Sequence, residues 1–178
     1  MNPLLKTCES TLIGNHAALL RDEFQVLLDD DRRDDLGRMY KLLSKIPDGL
    51  DPLRNRFEAH VRKAGLAAVE KVATDGDNLE PKVYVEALLE VHTQYHELVN
   101  KAFNGESEFV RSLDNACREF VNRNKVCKSG STKSPELLAK YTDTLLKKSS
   151  AKMTEDDDIE KLLTRIVSVR NRLGTLFI

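Results

Sequence analysis

The chain has 178 residues, 28 basic and 29 acidic, with a net charge of −1. No global field draws it to nucleic acid or to an anionic membrane. Charged residues make up 32% and aromatics 6%, with only 8 Gly and 5 Pro, and hydrophobic periodicity runs nearly end to end. That composition predicts an all-α protein with no low-complexity segment, one domain long and a core burying roughly 70% of the unfolded surface. Cys8, Cys117 and Cys127 form no metal-like spacing. An odd count without an apolar leader points to reduced thiols and to the cytoplasm and nucleus. No run approaches ~18 consecutive apolar residues, so no membrane-spanning helix is expected.

Seven helical segments are predicted in chain order. The first, about Leu4 to Leu28, carries Leu12/Ile13, His16/Ala17, Leu20, Phe24 and Leu27/Leu28 on one face. Gly14-Asn15 is the expected point of a kink or break, both being weak helix formers. The acidic run Asp29-Asp30-Asp31 ends it and is expected to cap a second helix. That helix bears Leu36, Met39/Tyr40, Leu43 and Ile46 and stops before Pro47, with Asp48-Gly49 as a turn. The third, about Asp51 to Ala73, starts on Pro52 and presents Leu53, Phe57, Val61, Ala64, Ala68 and Val72. Gly65 lies inside it at a cost of about 1 kcal/mol, which a close helix contact would explain.

After a polar linker, 74–79, the fourth helix runs from about Glu80 to Phe103. Its Val85, Leu88, His92, Tyr95, Val99 and Ala102 alternate three and four apart, a bundle-type seam. Asn104-Gly105 ends it, with Gly105 as the left-handed cap. The fifth, about Glu106 to Asn122, shows Phe109, Leu113, Ala116/Cys117 and Phe120. Asn124 to Lys133 reads as a mobile loop. The sixth opens on Ser134 as N-cap, Pro135 at the first position and Glu136 near the positive helix end. Leu137/Leu138, Tyr141 and Leu145 face inward, and Lys147-Lys148 complement its C-terminus. The last begins after Thr154, with Glu155 to Asp158 in its first turn and Ile159, Leu162/Leu163 and Ile166 on its apolar face.

Residues that do chemistry are hard to find. His92 and His96 are four apart, a spacing that can put two imidazoles on one metal. The stretch lacks the Glu that serves as base in metalloprotease helices, and no third ligand is near in sequence. His92 on the seam is expected to be packed and His96 solvated. The acidic runs at Asp29 and Asp156 fail the alternation and the sixth-position Gly of a calcium loop, as does Thr74-Asp75-Gly76-Asp77; capping and solvated turns account for them. Lys125, Lys128, Lys133, Lys147, Lys148 and Lys152 cluster without interleaved aromatics or a groove-reading motif, so a solvated, partly mobile face is expected, with a protein contact as the alternative. Cys117 lies on an apolar face as a small core residue. There is no Gly-x-Ser-x-Gly, phosphate-binding loop or dinucleotide fingerprint. No catalytic, cofactor or metal residue is assigned.

Ser134-Pro135-Glu136-Leu137-Leu138-Ala139-Lys140-Tyr141-Thr142-Asp143-Thr144-Leu145-Leu146-Lys147-Lys148-Ser149-Ser150 resembles a signature of the cullins, scaffold subunits of multi-subunit ubiquitin ligases. The likeness extends to Cys8–Ile13, Phe24–Asp29, Asp35–Ile46, Gly65–Lys71, Pro81–Val85 and Phe109–Cys117. It is collinear from about Leu4 to Val169 and strongest toward the cullin of the SCF, or F-box, ligases.

The resemblance implies an all-α helical bundle, one cullin-type repeat over 1–169, near the junction of the helical rod with a C-terminal globular domain. Residues 170–178 no longer resemble the family. It also implies a non-catalytic scaffold that rigidly spaces the substrate receptor from the RING subunit. The family's partners are an adaptor with its F-box receptor, the RING subunit and a helical-repeat exchange factor. The adaptor-binding first repeat and the RING-binding domain have no counterpart in this chain, so most partner sites are expected to be missing. No nucleic acid or membrane partner is implied. Apolar faces at the ends of such a piece are expected to cause poor solubility or self-association. An independent helical protein-interaction module is the alternative; a metal-dependent enzyme would rest on His92 and His96 alone.

Overall fold

In a computed structural model of the chain, the structure describes residues 2–73, 79–127, 132–151, 164 and 167, without the side chains of 9, 10, 12, 13 and 148–151. The order is α1 (Pro3–Asp29), α2 (Arg33–Leu43), α3 (Asp51–Val72), α4 (Pro81–Ala102), α5 (Ser107–Asn122) and α6 (Lys133–Ala151). No strand occurs among the described residues, so the fold is all-α. The final predicted helix, after Thr154, lies outside them apart from Thr164 and Val167, which are helical and exposed.

Asn2 and Pro3 start α1: the Asn2 side chain accepts the Leu4 N–H at 3.1 Å, with Pro3 at the first position. The helix continues through Gly14-Asn15 without the expected break. A Cβ on Gly14 would meet nothing within 4 Å, so the only penalty there is the weak propensity of the two residues, about 1 kcal/mol each at most. The inward face begins later than the pattern suggested. His16 is exposed and Leu20 half-buried, while Phe24, Leu27 and Leu28 are buried. Leu12 and Ile13 lie outside the described side chains.

The acidic run does not cap α2. Arg32 occupies the N-cap and makes no side-chain cap bond. Asp31 takes a left-handed backbone, φ 50°, and its carboxylate accepts from Arg33 Nε at 2.9 Å. Helix α2 also ends early, at Leu43. The backbone tightens into i→i−3 bonds, Lys45 to Leu42 and Ile46 to Leu43, because Pro47 disfavours helical geometry at the residue before it. Asp48 then turns the chain at φ 58°. The next residue has no room for a side chain, as a Cβ on Gly49 would lie 2.6 Å from the Leu43 carbonyl oxygen.

The residues group into two compact units, Met1–Val61 with Tyr95–Asn115, and Arg62–Gln94 with Ala116–Ile178. The first has an aromatic core. Four of the chain's six Phe meet there: Phe103 stacks on Phe109 at 4.1 Å, Phe57 meets both edge-on at 5.8 and 5.6 Å, and Phe24 lies 6.2 Å from Phe103. Aromatic side chains bury the largest areas per residue and tile well when offset or edge-to-face. In the second unit Val69, Tyr84, Val85, Leu88, Cys117 and Phe120 are fully or almost fully buried. A Cβ on Gly65 would overlap the Phe120 ring, which explains a glycine in the middle of α3. The α3 face therefore runs through Gly65 and Val69; Ala64, Ala68 and Val72 are only half-buried. All six predicted seam positions of α4 are buried.

Candidate functional site

The groups with chemical potential are dispersed. His92 is buried and His96 exposed, where Asn100 Nδ2 lies 3.2 Å from its Nδ1. Among the described residues no three His, Cys, Asp or Glu side chains are grouped so as to hold a metal ion. Cys8 is exposed; Cys117 and Cys127 are buried. Of the basic cluster, Lys125 pairs with Glu70 at 3.5 Å and Lys147 with Asp143 at 2.7 Å, while Lys128, Lys148 and Lys152 lie outside the described side chains. Exposed pairs of this kind contribute about 0–1 kcal/mol. Among the described residues, no helix is long and apolar enough to cross a membrane.

What the structure does assemble are three polar junctions that position helices, none of which periodicity reveals. The first, in the unit of Met1–Val61 with Tyr95–Asn115, joins α3 to the start of α5. Glu106 precedes α5 and caps it, its Oε2 accepting the Phe109 N–H at 3.1 Å. Its other oxygen accepts from Arg54 Nη2 at 2.5 Å. Arg54 also reaches Asp51 at 2.6 Å and lies over the Phe109 ring, 5.8 Å from its centroid. Burial alone would lower the Arg54 pKa; the hydrogen bond and charge of Glu106, then Asp51, outweigh it and hold the guanidinium above its ordinary value.

In the same unit, His60 on α3 binds α1 and α4. Its Nε2 lies 2.9 Å from the Tyr95 hydroxyl, and its Nδ1 lies 3.2 Å from Gln25 Nε2 and 3.3 Å from Asp29 Oδ1. Gln25 Nε2 also donates to Asp29 at 2.8 Å. Burial first, then the charges of Asp31 and Asp29, push the Tyr95 phenol up to about 12, so Tyr95 stays a neutral hydrogen-bonding group at ordinary pH.

The third lies within the unit of Arg62–Gln94 with Ala116–Ile178 and corrects two expectations. Ser134 is not the N-cap of α6: the helix begins at Lys133, and Thr132 before it accepts the Glu136 N–H on its carbonyl at 3.0 Å and donates its hydroxyl to Glu136 Oε1 at 2.7 Å. Ser134 is instead fully buried, its hydroxyl 2.9 Å from that of Tyr84. The start of the predicted mobile loop is a tight turn. Asn124 Oδ1 accepts the N–H of Val126 and of Cys127, at 2.8 Å each, and the Asn124 N–H donates to the Cys127 carbonyl at 2.7 Å. Residues 128–131 lie outside the described residues. An Asn just past a helix end is the one local signal for such a turn; the partner on α4 has none.

A shallow groove of about 360 Å³ lies between α1 and α2, with Leu20, Leu27, Met39 and Leu42 on its walls and Glu23, Arg32 and Asp35 at its rim. Its residues bring together no nucleophile–base pair. The arrangement as a whole braces helices.

The comparisons fit this picture. The family model described as the cullin alpha solenoid domain matches residues 1–170. The chain is 50% identical over 168 residues to Cullin-1 of Dictyostelium discoideum, 45% over 172 to Cullin-1 of Schizosaccharomyces pombe and 46% over 172 to Cullin-1 of Caenorhabditis elegans. These alignments cover 93%, 95% and 94% of this chain and 22% of each relative, so the chain spans about a fifth of their length. With helices alone among its described residues, polar junctions that brace them and a family match over nearly its whole length, the chain belongs to the cullin family.

Proposed function

We propose that this chain is a scaffold segment of a cullin-RING ubiquitin ligase of the SCF type, non-catalytic itself and acting in the cytoplasm and nucleus. In this reading it is one stretch of a helical rod that keeps the F-box substrate receptor and its adaptor at a fixed distance from the RING subunit. Rigidity is the mechanism: a fixed spacing raises the effective concentration of the substrate lysine near the loaded ubiquitin. The single observation that carries it is the match of residues 1–170 to the cullin solenoid model. The polar junctions support it, since helices pinned by buried hydrogen bonds resist shear in a way apolar contacts alone do not.

The test is a graft. Residues 1–170 replace the matching segment of Dictyostelium Cullin-1, and ubiquitylation of an F-box-recruited substrate is followed in a reconstituted ligase. The graft should retain substrate ubiquitylation. A Gly/Ser linker of equal residue number should lose it, while the RING end still forms free ubiquitin chains. A folded graft no better than the linker would sink the scaffold reading and favour an independent interaction module.

A further inference from the structure

Helix α6 is anchored differently from its neighbours. Among its described side chains only Ser134, Leu137 and Tyr141 are buried, and Leu146 is 44% exposed. Its first turn is held by a chain of polar groups, half-buried Asn124 and fully buried Tyr84 and Ser134. The two backbone N–H groups bound to Asn124 Oδ1 fix which way that amide points. Asn124 Nδ2 therefore donates, to the Phe120 carbonyl at 2.8 Å and to Tyr84 Oη at 2.9 Å. Tyr84 Oη, which accepts that bond, also pairs with Ser134 Oγ, 2.9 Å away, where either hydroxyl can donate. Tyr84 and Ser134 are both 0% exposed. One hydroxyl on α4 thus ties the turn after α5 to the start of α6.

We propose that Asn124–Tyr84–Ser134 is a latch, and that α6 opens and closes on it as a unit separate from the rest of the fold. Two physical features combine to produce this behaviour. The apolar anchorage of α6 is small, which puts its opening at the low end of the range of local unfolding free energies. The polar links share one atom, Tyr84 Oη, so loss of that hydroxyl removes both at once and takes from the fully buried Ser134 hydroxyl its partner on α4. Opening hydrates both hydroxyls at once and frees the first turn. The inference concerns the isolated chain and stands whether or not the scaffold reading does.

Hydrogen exchange followed by mass spectrometry on the full chain tests it. Tyr84→Phe keeps the ring and removes the hydroxyl. Amides of 136–147 should then exchange roughly tenfold faster, while those of α2 and of 109–120 stay within about twofold of wild type. Unchanged exchange in α6 would overturn the proposal, as would an equal rise in every helix. Ser134→Ala removes the other end of the same bond by deleting one oxygen and must give the same pattern. It keeps the proposal falsifiable if Tyr84→Phe does not fold.

Discussion

Gly65 shows how a single residue can look unfavourable in a sequence and be required in a fold. Its backbone sits where the Phe120 ring presses closest, so any side chain must displace an aromatic ring that is almost wholly buried. Gly65→Ala should therefore destabilise by about 1–3 kcal/mol through overpacking, despite the better helix propensity of Ala. A thermal melt showing a raised Tm would refute the contact. Tyr95 carries a pH prediction. Its folded pKa lies above the unfolded value, near 12 against 10, so the folded state holds the proton more tightly. That stability is fully present below pH 10 and is lost as pH rises from 10 toward 12, by roughly 2–3 kcal/mol in total. Tyr84, also raised chiefly by burial, loses its share in a window that likewise opens near pH 10. Urea melts between pH 9 and 12 should show the decline, and Tyr95→Phe should flatten part of it; an unchanged slope in that variant would exclude Tyr95 as a source.

At the scale of elements, helix ends matter more than helix middles. Glu106 satisfies an orphan N–H of α5 and the Arg54 guanidinium with its two oxygens. Glu106→Ala should cost about 1–3 kcal/mol, from the lost cap and from a partly buried cation left without its main partner. In a double-mutant cycle with Arg54→Ala the two losses should sum to more than the double mutant's, because both report one junction. Strict additivity would mean the pair contributes nothing beyond its separate contacts. Sequence spacing located α5 to within a residue, since its Phe109, Leu113, Cys117 and Phe120 face the core at helical period. It misassigned the start of α6. Ser134 has every local attribute of an N-cap, but a hydroxyl can serve only the partners that reach it, and Tyr84, fifty positions away, reaches it first.

For the whole molecule, burial sorts the three thiols. Cys8 is exposed while Cys117 and Cys127 are at most 1% exposed. A thiol reagent should react promptly with one cysteine of the native protein and with all three once it is denatured, since modification of a buried thiol waits for opening. Prompt reaction of a second thiol, assigned by peptide mapping to Cys127, would place it at the surface and contradict the ordered turn that Asn124 builds. Leu4, Leu5, Leu19 and Leu42 are exposed to water.

The amino-acid pattern by itself determined the all-α class, six of the helices within a few residues, the buried seam of α4 and the family likeness, because periodic burial and local propensity are written along one segment at a time. It did not determine that α1 would run unbroken past Gly14, that the acidic run would bond side chains instead of capping α2, or that Ser134 would turn inward. The last of these, like the other two junctions, depends on groups brought together from distant positions: Arg54 with Glu106, His60 with Asp29 and Tyr95, and Tyr84 with Asn124 and Ser134. A buried polar atom must find a partner wherever the fold supplies one, and only the tertiary structure decides which atom that is.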